Sequence, residues 1–268
     1  MNSKQPRYLK SEKSPSPPGC ARCAEHGLIP FELAFAFQPI VNTATRTIYA
    51  HEALVRGPGG ESAQSVLAGV NDENRYSFDQ ACRVTAIKNA ALLDMTEYLS
   101  INFLPNAVYE PAACIRRTLE AARQYEFPID HLIFEFSETE RLNSAAHLLI
   151  IGAEYRKHGF KTAIDDFGAG YSGLSLLAEF QPDIIKIDMS LVRDITESRS
   201  RRAIVTSVVR MCAELDITVV AEGVETRSEL HCLHDVGIDL MQGYYFCRPS
   251  FQSLGRIDER IWEHSHWD

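Results

Sequence analysis

The chain has 268 residues, of which 45% are hydrophobic and 24% are charged, and its formal net charge is −9. This composition is typical of a soluble globular protein with one large domain or two small ones. The negative charge argues against a general surface for a nucleic-acid polymer, and no run approaches the roughly 18 apolar residues of a membrane span.

The N-terminal 30 residues differ in charge from the rest of the chain. They contain five Lys or Arg and two acidic residues, so they carry +3 while the remainder carries −12. The stretch SEKSPSPPG is rich in Ser and Pro and lacks an apolar run. It predicts a flexible extension over residues 1–30, not a signal peptide, followed by a folded domain over 31–268.

The seven cysteines are odd in number and lie mostly in apolar segments, which favours a reducing cytoplasm. The exception is the group of Cys20, Cys23 and His26, whose spacing would suit part of a zinc or redox site. A structural zinc needs four ligands, and the sequence holds no second group of this kind. The favoured interpretation is therefore a cysteine pair in a mobile tail.

From residue 33 onward, short runs rich in β-branched and aromatic residues alternate with longer helical patterns. A helix is predicted over 143–159, with Gly159 as its stop, and a capping box of Thr226 and Glu229 starts another. A third helical pattern covers 201–216. Strands are predicted at 33–41, 47–56, 98–103, 131–136, 160–166, 183–188, 217–222 and 238–246.

Eight strands joined by helical crossovers predict an α/β fold, a closed (β/α)8 TIM-like barrel. Only five residues, NTATR, separate the first two strands. This connection is too short for a crossover helix, so the first strand is expected to pair antiparallel with the second. A doubly wound open sheet is the alternative.

Every predicted strand from the second to the eighth carries a polar side chain inside it or at its C-terminal end. In a β/α barrel these ends converge on one mouth, where active sites lie. Burying the carboxylates there without cations would be very costly. The residues are Glu52, Arg56, Asn102, Glu135, Asp165, Asp166, Lys186, Asp188, Glu222 and Gln242.

The candidate metal ligands are all hard oxygen donors, which favours Mg²⁺ or Mn²⁺ over Zn²⁺. Adjacent aspartates point to opposite faces of a regular strand, but at a fraying strand end both can turn inward and divide two cations. Two cations can activate water and stabilise the leaving oxygen of a phosphodiester. Lys186 would add a positive charge near the attacked phosphate. The guanidinium of Arg56 would offer two N–H donors that match a pair of phosphate oxygens. The ligands are Glu52, Asn102, Glu135, Asp165 and Asp166.

Eight motifs follow one another along the chain: QPI (38–40), HEALVRG (51–57), SINFLP (100–105), FEFSE (134–138), AIDDFGAGYSG (163–173), PDIIKID (182–188), AEGVET (221–226) and MQGYYFCRP (241–249). In this order and spacing they resemble the EAL-domain cyclic-di-GMP phosphodiesterases of bacterial signalling, from about residue 33 onward. The resemblance implies a barrel that hydrolyses one phosphodiester bond of cyclic di-GMP to linear 5'-pGpG, using Mg²⁺ or Mn²⁺.

The resemblance also implies two metal positions. Asp166 would hold the second metal, with Asp165 a candidate for both. Lys186 would contact the nucleophilic water, and Glu222 would orient metal-bound water or act as the base. With Glu52, these residues form the implied catalytic set. The first metal would be held by Glu52, Asn102, Glu135 and Asp165.

Further implied roles concern the nucleotide, the loop after Asp166 and the assembly. Glu138 would anchor the loop, Gln242 would support Glu222, and the assembly would be a homodimer. The loop departs from the common family sequence at Ala169 and Gly173, which puts its rigidity in question. Nucleotide contacts would come from Gln38, Leu54, Arg56, Asp188, Gln242 and Pro249.

Two other functions remain as alternatives. EAL-like barrels include catalytically silent receptors for cyclic di-GMP and protein-interaction modules, but such domains commonly lose metal ligands or the lysine, all of which are present here. The string GAGYSG (168–173) also matches G-x-G-x-x-G, the fingerprint of a dinucleotide-binding loop. Its place on the fifth strand and the preceding aspartates argue against that use, so its glycines predict a sharp turn. The aromatic run 244–246 predicts barrel packing, with a base-stacking surface as the alternative.

Overall fold

The computed structural model describes residues 29, 32–138, 145–170 and 173–263. In these ranges a nine-stranded sheet closes on itself and helices cover its outside. Almost all of the predicted extension, including Cys20, Cys23 and His26, lies outside the described residues, so that prediction is not tested. None of the helices in the described ranges is long and apolar enough to cross a membrane.

The strands follow the predicted runs closely through the first seven elements. The helices between them include the predicted capping box, in which Thr226 Oγ1 accepts from the Glu229 amide and the Glu229 carboxylate accepts from Thr226. The strands are β1 (Ala34–Asn42), β2 (Thr47–Arg56), β3 (Tyr98–Asn102), β4 (Leu132–Ser137), β5 (Lys161–Phe167), β6 (Ile184–Ile187), β7 (Thr218–Ala221), β8 (Leu240–Met241) and β9 (Ser250–Phe251).

Nine α-helices lie in the described ranges, with two short 3₁₀ turns at Pro105–Ala107 and Ile129–His131. The α-helices are α1 (Ala63–Leu67), α2 (Arg75–Leu92), α3 (Pro111–Gln124), α4 (Ala145–Lys157), α5 (Gly173–Glu179), α6 (Met189–Val192), α7 (Arg199–Glu214), α8 (Arg227–Asp235) and α9 (Arg260–Glu263).

The pairing of the strands confirms the predicted barrel. Strands β2 to β8 are parallel neighbours, and β1 pairs antiparallel with both β2 and β8, which closes the sheet. The first strand is therefore antiparallel, as its short connection predicts, and the doubly wound alternative is wrong.

The last strand of the barrel is shorter than predicted. The pattern predicts a strand over 238–246, but β8 ends at Met241 because the chain then turns toward Val224. Val224 donates its amide to Gln242 O, and Tyr245 donates to Val224 O, at 3.1 and 3.0 Å. A side chain at Gly243 would overlap the Val224 backbone. The edge of β1 that β8 leaves open pairs instead with β9, which the sequence did not predict.

An apolar layer fills the barrel interior. It is formed by one buried residue from most strands, with Tyr49 of β2 and Tyr98 of β3 packed against it. Because side chains alternate along a strand, the residue two positions closer to the mouth faces the same interior. The layer therefore forms the floor of the mouth. Its members are Ile40, Ala50, Ile133, Ala163, Ile184, Val220 and Leu240.

Candidate metal centre at the barrel mouth

A polar layer lies directly above the apolar layer, two residues nearer the mouth on each of the seven strands that contribute to the apolar layer. On β2, for example, Glu52 follows Ala50, and on β6 Lys186 follows Ile184. On β3, Asn102 is paired with Glu135 of β4 and so lies at the same level. The polar layer brings together most of the predicted site residues. The polar layer consists of Gln38, Glu52, Asn102, Glu135, Asp165, Lys186, Glu222 and Gln242.

The ammonium group of Lys186, which is 1% exposed, lies among four carboxylates. Its Nζ is 2.7 Å from Glu222 Oε1 and 2.9 Å from Asp165 Oδ1. It is 3.3 Å from Glu135 Oε2 and 3.4 Å from Glu52 Oε2. We call these five residues the mouth cluster. The cluster has three more carboxyl groups than ammonium groups, so its acidic groups outnumber its one basic group.

Neutral donors bind two of the carboxylates of the mouth cluster. Asn102 Nδ2 donates to Glu52 Oε1 and to Glu135 Oε1, each at 3.0 Å. Ser100 Oγ donates to Glu135 Oε2 at 2.7 Å, and Gln242 Nε2 donates to Glu52 Oε2 at 2.8 Å. These bonds hold both glutamates beside Lys186.

The carboxylates compete for the single ammonium, and their pKa values diverge. Burial raises the pKa of Glu135 and Glu222 well above the ordinary value, and neighbouring carboxylates add to the effect. Burial would also raise the pKa of Glu52, but Lys186 and the hydrogen bonds from Gln242 and Asn102 lower it overall. Burial would lower the pKa of Lys186, but the surrounding carboxylates raise it well above its ordinary value. Additional cations would relieve this imbalance.

Asp165 and Asp166 both reach the mouth, although they are consecutive residues of β5. The pairing of β5 with β6 shifts register between Ile164 and Phe167, and Asp166 has a left-handed backbone with φ +55°. The strand continues to Phe167, so an irregularity within the strand, not a fraying end, turns both side chains inward. Ser137 Oγ donates to Asp166 Oδ2 at 3.0 Å. Burial, followed by the charge of Asp165, raises the pKa of Asp166.

Two overlapping groups of carboxylates could each hold a cation. Glu52, Glu135 and Asp165 bring one oxygen each within 4.8 Å of one another, and so do Asp165, Asp166 and Glu222. Asp165 belongs to both groups. Oxygen-only donor sets fit Mg²⁺ or Mn²⁺. Asn102 adjoins the first group, as the sequence predicts, whereas Glu222 joins the second group in addition to its predicted role beside the water.

Glu138 lies beneath the loop that follows Asp166. Its Oε2 accepts from the Gly168 amide at 2.6 Å, and its Oε1 accepts from the Gly173 amide at 2.8 Å. A β-carbon at Gly170 would lie 2.8 Å from Glu138 Oε1, and one at Gly173 2.8 Å from the Phe167 ring. The missing side chains at Gly170 and Gly173 leave room for the Glu138 carboxylate and the Phe167 ring, so these glycines have a cause other than dinucleotide binding.

Two cavities flank the mouth cluster, and both reach Glu52. The smaller, ≈ 210 Å³, contains three of the predicted nucleotide contacts, Gln38, Asp188 and Gln242. The larger, ≈ 360 Å³, contains a fourth, Leu54, and is lined mainly by apolar side chains. Asp188 also caps α6, because its Oδ1 accepts from the Ser190 amide at 2.9 Å.

Two predicted nucleotide contacts are not brought to these cavities. Arg56 Nη1 donates to the neighbouring carbonyl of Val55 at 2.8 Å, and neither Arg56 nor Pro249 lines either cavity. Both residues are partly exposed. Their predicted contacts therefore depend on side-chain or ligand positions that this conformation does not contain.

The aromatic run after β8 divides into two environments. Phe246 is 5% exposed and packs against Trp262 and Tyr245, as predicted. Tyr244 is 49% exposed, lines the smaller cavity and has the Arg248 guanidinium 4.0 Å from its ring centroid. The packing prediction is therefore wrong for Tyr244.

Sequence reasoning missed two hydroxyl donors in the site, Ser100 and Ser137. Ser100 precedes Asn102 by two residues, and Ser137 follows Glu135 by two. In both cases the alternation of side chains along a strand places the serine on the same face as a predicted ligand. That signal was present in the sequence.

Comparison with known sequences is consistent with this geometry. The sequence pattern of the EAL domain matches residues 25–249. The blue light- and temperature-regulated antirepressor BluF of Escherichia coli (strain K12) is 31% identical over 224 residues, covering 83% of this chain and 56% of BluF. The probable cyclic di-GMP phosphodiesterase PdeG of the same organism is 30% identical over 233 residues, covering 83% of this chain and 44% of PdeG. The chain thus spans about half the length of these relatives.

Solved structures also show similarity to EAL proteins. A standalone versatile EAL protein from Vibrio cholerae O395, in its c-di-GMP-bound form, is 51% identical with a TM-score of 0.85, covering 87% of this chain and 99% of that one. Klebsiella pneumoniae BlrP1, in a manganese/cy-diGMP complex at pH 9.0, is 41% identical with a TM-score of 0.80, covering 87% and 60% of the two chains.

Proposed function

Because this chain belongs to the EAL domain family, we propose that it hydrolyses one phosphodiester bond of cyclic di-GMP to linear 5'-pGpG with divalent cations. The observation that carries the proposal is the mouth cluster, in which four carboxylates surround one buried ammonium. Cations would offset that excess of negative charge, and a neighbouring aspartate, Asp166, provides for a second one.

Mg²⁺ or Mn²⁺ is the proposed cofactor, since every donor is an oxygen. The manganese in the BlrP1 complex supports this choice. Bound cations would lower the pKa of water and stabilise charge on the phosphate oxygens. The first would be held by Glu52, Asn102, Glu135 and Asp165, and the second by Asp165 and Asp166.

Lys186 and Glu222 supply the chemistry of the chain itself. The Lys186 ammonium can donate a hydrogen bond to the attacking water and stabilise negative charge on the attacked phosphate. The Glu222 carboxyl group, 2.7 Å from Lys186 Nζ, is 16% exposed at the mouth. Because it lies beside Lys186 and the carboxylates of Asp165 and Asp166, it is suited to accept the proton of the water as general base.

The two cavities give the proposed substrate a place on each side of the mouth cluster. Cyclic di-GMP has two similar halves, and the cavities meet at Glu52. One half would contact Gln38, Asp188 and Gln242, and the other would contact Leu54. The contacts proposed for Arg56 and Pro249 require movement on binding.

A homodimer and a cytoplasmic location remain part of the proposal. Leu149 and Ile150 of α4 and Leu174 of α5 are 44%, 59% and 66% exposed on neighbouring helices, which would suit an interface with a second copy. All five cysteines in the described ranges are free thiols, which supports a reducing compartment.

A silent receptor or protein-interaction module is the second candidate. The antirepressor BluF, which is 31% identical to this chain, is the observation that favours it. The complete set of carboxylates and the lysine favour catalysis over this alternative, because a receptor needs no general base.

One assay separates the two functions. The purified chain is incubated with cyclic di-GMP and Mg²⁺, Mn²⁺, Ca²⁺ or a chelator, and products are identified by mass spectrometry. We expect 5'-pGpG with Mg²⁺ or Mn²⁺ and no product with the chelator. Tight nucleotide binding without product at saturating Mg²⁺ and Mn²⁺ would favour the receptor.

A further inference from the structure

A second set of buried charges lies on α2, outside the mouth cluster. Asp79 and Arg83 are 2% and 0% exposed and stand one helical turn apart, so their side chains share one face of the helix. Arg83 Nε lies 2.8 Å from Asp79 Oδ2. Arg83 Nη1 also donates to the Tyr155 hydroxyl of α4 at 2.6 Å. The proposed function does not use either residue.

Aromatic rings enclose the Arg83 guanidinium and fix its position. Its central carbon lies 5.0 Å from the ring centroid of Phe134, 5.2 Å from that of Phe103 and 5.7 Å from that of Tyr155. The cation–π contacts with these rings and the hydrogen bond to Tyr155 restrict the position of the guanidinium. Arg83 therefore holds the Asp79 carboxylate in one place.

The other oxygen of Asp79 reaches the segment that carries Asn102. Asp79 Oδ1 accepts from the Leu104 amide at 2.9 Å, while the preceding amide, of Phe103, donates to Glu135 O at 2.9 Å. Strand β3 ends at Asn102, so no further strand pairing holds the backbone beyond that bond. Asp79 thus fixes the second peptide group after Asn102.

We propose that Asp79 is a positioning residue that aims Asn102 at the mouth cluster by holding the Leu104 amide. The inference rests on the proposed function, in which Asn102 is a ligand of the first cation. A buried ion pair is weak evidence for stability, because apolar residues of similar volume often replace such pairs without loss. The hydrogen bond from the Leu104 amide to Asp79 Oδ1 gives the Asp79–Arg83 ion pair a role other than stabilising the fold.

Two double variants isolate that acceptor. Asp79→Asn/Arg83→Met and Asp79→Leu/Arg83→Met both remove the ion pair without leaving an unpaired buried charge. Asn and Leu are similar in size, but only Asn keeps an oxygen that can accept from the Leu104 amide. Calorimetry measures the Mn²⁺ affinity of the metal-stripped full chain. Hydrogen exchange of the Leu104 amide is measured in the metal-free chain, and thermal unfolding measures stability.

We expect the Asn variant to bind Mn²⁺ like the unaltered chain, and the Leu variant to bind about 10- to 100-fold more weakly. In the metal-free Leu variant the Leu104 amide should also exchange faster. Hydrolysis by the Leu variant should recover at high Mn²⁺ with kcat little changed, because the defect lies in the placement of a ligand.

Equal Mn²⁺ affinity of the two folded variants would overturn the inference, and so would a tenfold loss in the folded Asn variant. If the Leu variant does not fold, Asp79→Ala/Arg83→Met, which also lacks the acceptor for the Leu104 amide, takes its place in the comparison. Asp79 also lines the larger cavity, so an increased KM for cyclic di-GMP with unchanged Mn²⁺ affinity would assign it to the nucleotide instead. Failure of the unaltered chain to bind Mn²⁺ or hydrolyse cyclic di-GMP would count against the proposed function itself.

Discussion

Asp165 and Asp166 are consecutive in β5, yet both bring a carboxylate oxygen within 4.8 Å of the same Glu222 oxygen. The left-handed backbone at Asp166, φ +55°, makes this arrangement possible. Asp and Asn tolerate this conformation better than most residues. A substitution that keeps the conformation can therefore test the charge of Asp166 alone.

Asp166→Asn should lower kcat/KM for cyclic di-GMP at least about 100-fold, a loss of about 2.7 kcal/mol in transition-state stabilisation. The reason is the loss of a charged ligand for the second cation. Steady-state kinetics with Mn²⁺ measures it. The matched control is Asp216→Asn, which makes the same change at an exposed residue with φ +56°. Full activity of Asp166→Asn would remove Asp166 from the metal centre.

Lys186→Met should destabilise the metal-free chain by about 3–5 kcal/mol, because four buried or partly buried carboxylates lose the one ammonium that contacts them among the described residues. Chemical denaturation with and without Mn²⁺ tests this, and Mn²⁺ should restore part of the loss. Lys161→Met is the control. Lys161 lies 5.5 Å from the Tyr98 ring centroid, and its loss should cost about 1 kcal/mol or less. Unchanged stability of Lys186→Met would contradict the charge imbalance described here.

Glu222→Gln should become progressively more stable than the unaltered metal-free chain as pH rises above the ordinary carboxyl range. The pKa of Glu222 is raised in the folded state, so the folded chain binds more protons than the unfolded chain and loses stability as pH rises through that pKa. Each unit of elevation amounts to about 1.4 kcal/mol. Chemical denaturation in chelator across pH 4 to 9 measures the difference; a pH-independent difference would show that Glu222 titrates normally.

Glu138→Gln should weaken the hydrogen bonds that hold the loop after Asp166. The glutamine side chain has one oxygen acceptor, whereas the carboxylate has two, one for each glycine amide. Activity at low Mn²⁺ should fall about 10- to 100-fold and recover in part at high Mn²⁺. Hydrogen exchange at Gly168 and Gly173, the two amides that Glu138 binds, should accelerate. The exposed Glu214 at the end of α7 supplies the control, Glu214→Gln. Unaltered exchange at both glycines would argue against an anchoring role.

Leu174→Glu should shift a homodimer toward monomer, since it places a charge on the apolar surface of α4 and α5 proposed as the interface. Leu92→Glu is the matched control, because Leu92 is 68% exposed and Leu174 66%. Light scattering after size-exclusion chromatography gives the molar mass of each. A dimer that Leu174→Glu leaves intact would require an interface elsewhere, and a monomeric unaltered chain would remove the homodimer from the proposal.

The polar layer could be predicted from the sequence because it obeys strand periodicity. Glu52, Glu135 and Lys186 each stand two residues after a small or branched apolar residue of the barrel interior. A pattern with period two needs no knowledge of long-range contacts. The same rule would have found Ser100 and Ser137.

The remaining features depend on contacts between distant segments, which no local pattern contains. The early end of β8 results from the close approach of Gly243 to Val224, and β9 exists only because that ending exposes an edge of β1. Asp79 and Arg83 occur one turn apart in a helix, a spacing equally typical of a solvent-exposed ion pair. Only the packing of α2 against α4 and the barrel shows that they are buried.

The apolar layer beneath the mouth cluster separates Lys186 from the opposite end of the barrel. Ile184 and Val220 are 3% and 0% exposed, and Tyr49 and Tyr98 close the far end. We therefore expect ions and water to reach Lys186 from the mouth, the side where the nucleotide would bind. A ligand that spanned both cavities would cover this side, so we expect cations to bind before the nucleotide and to be released after the product.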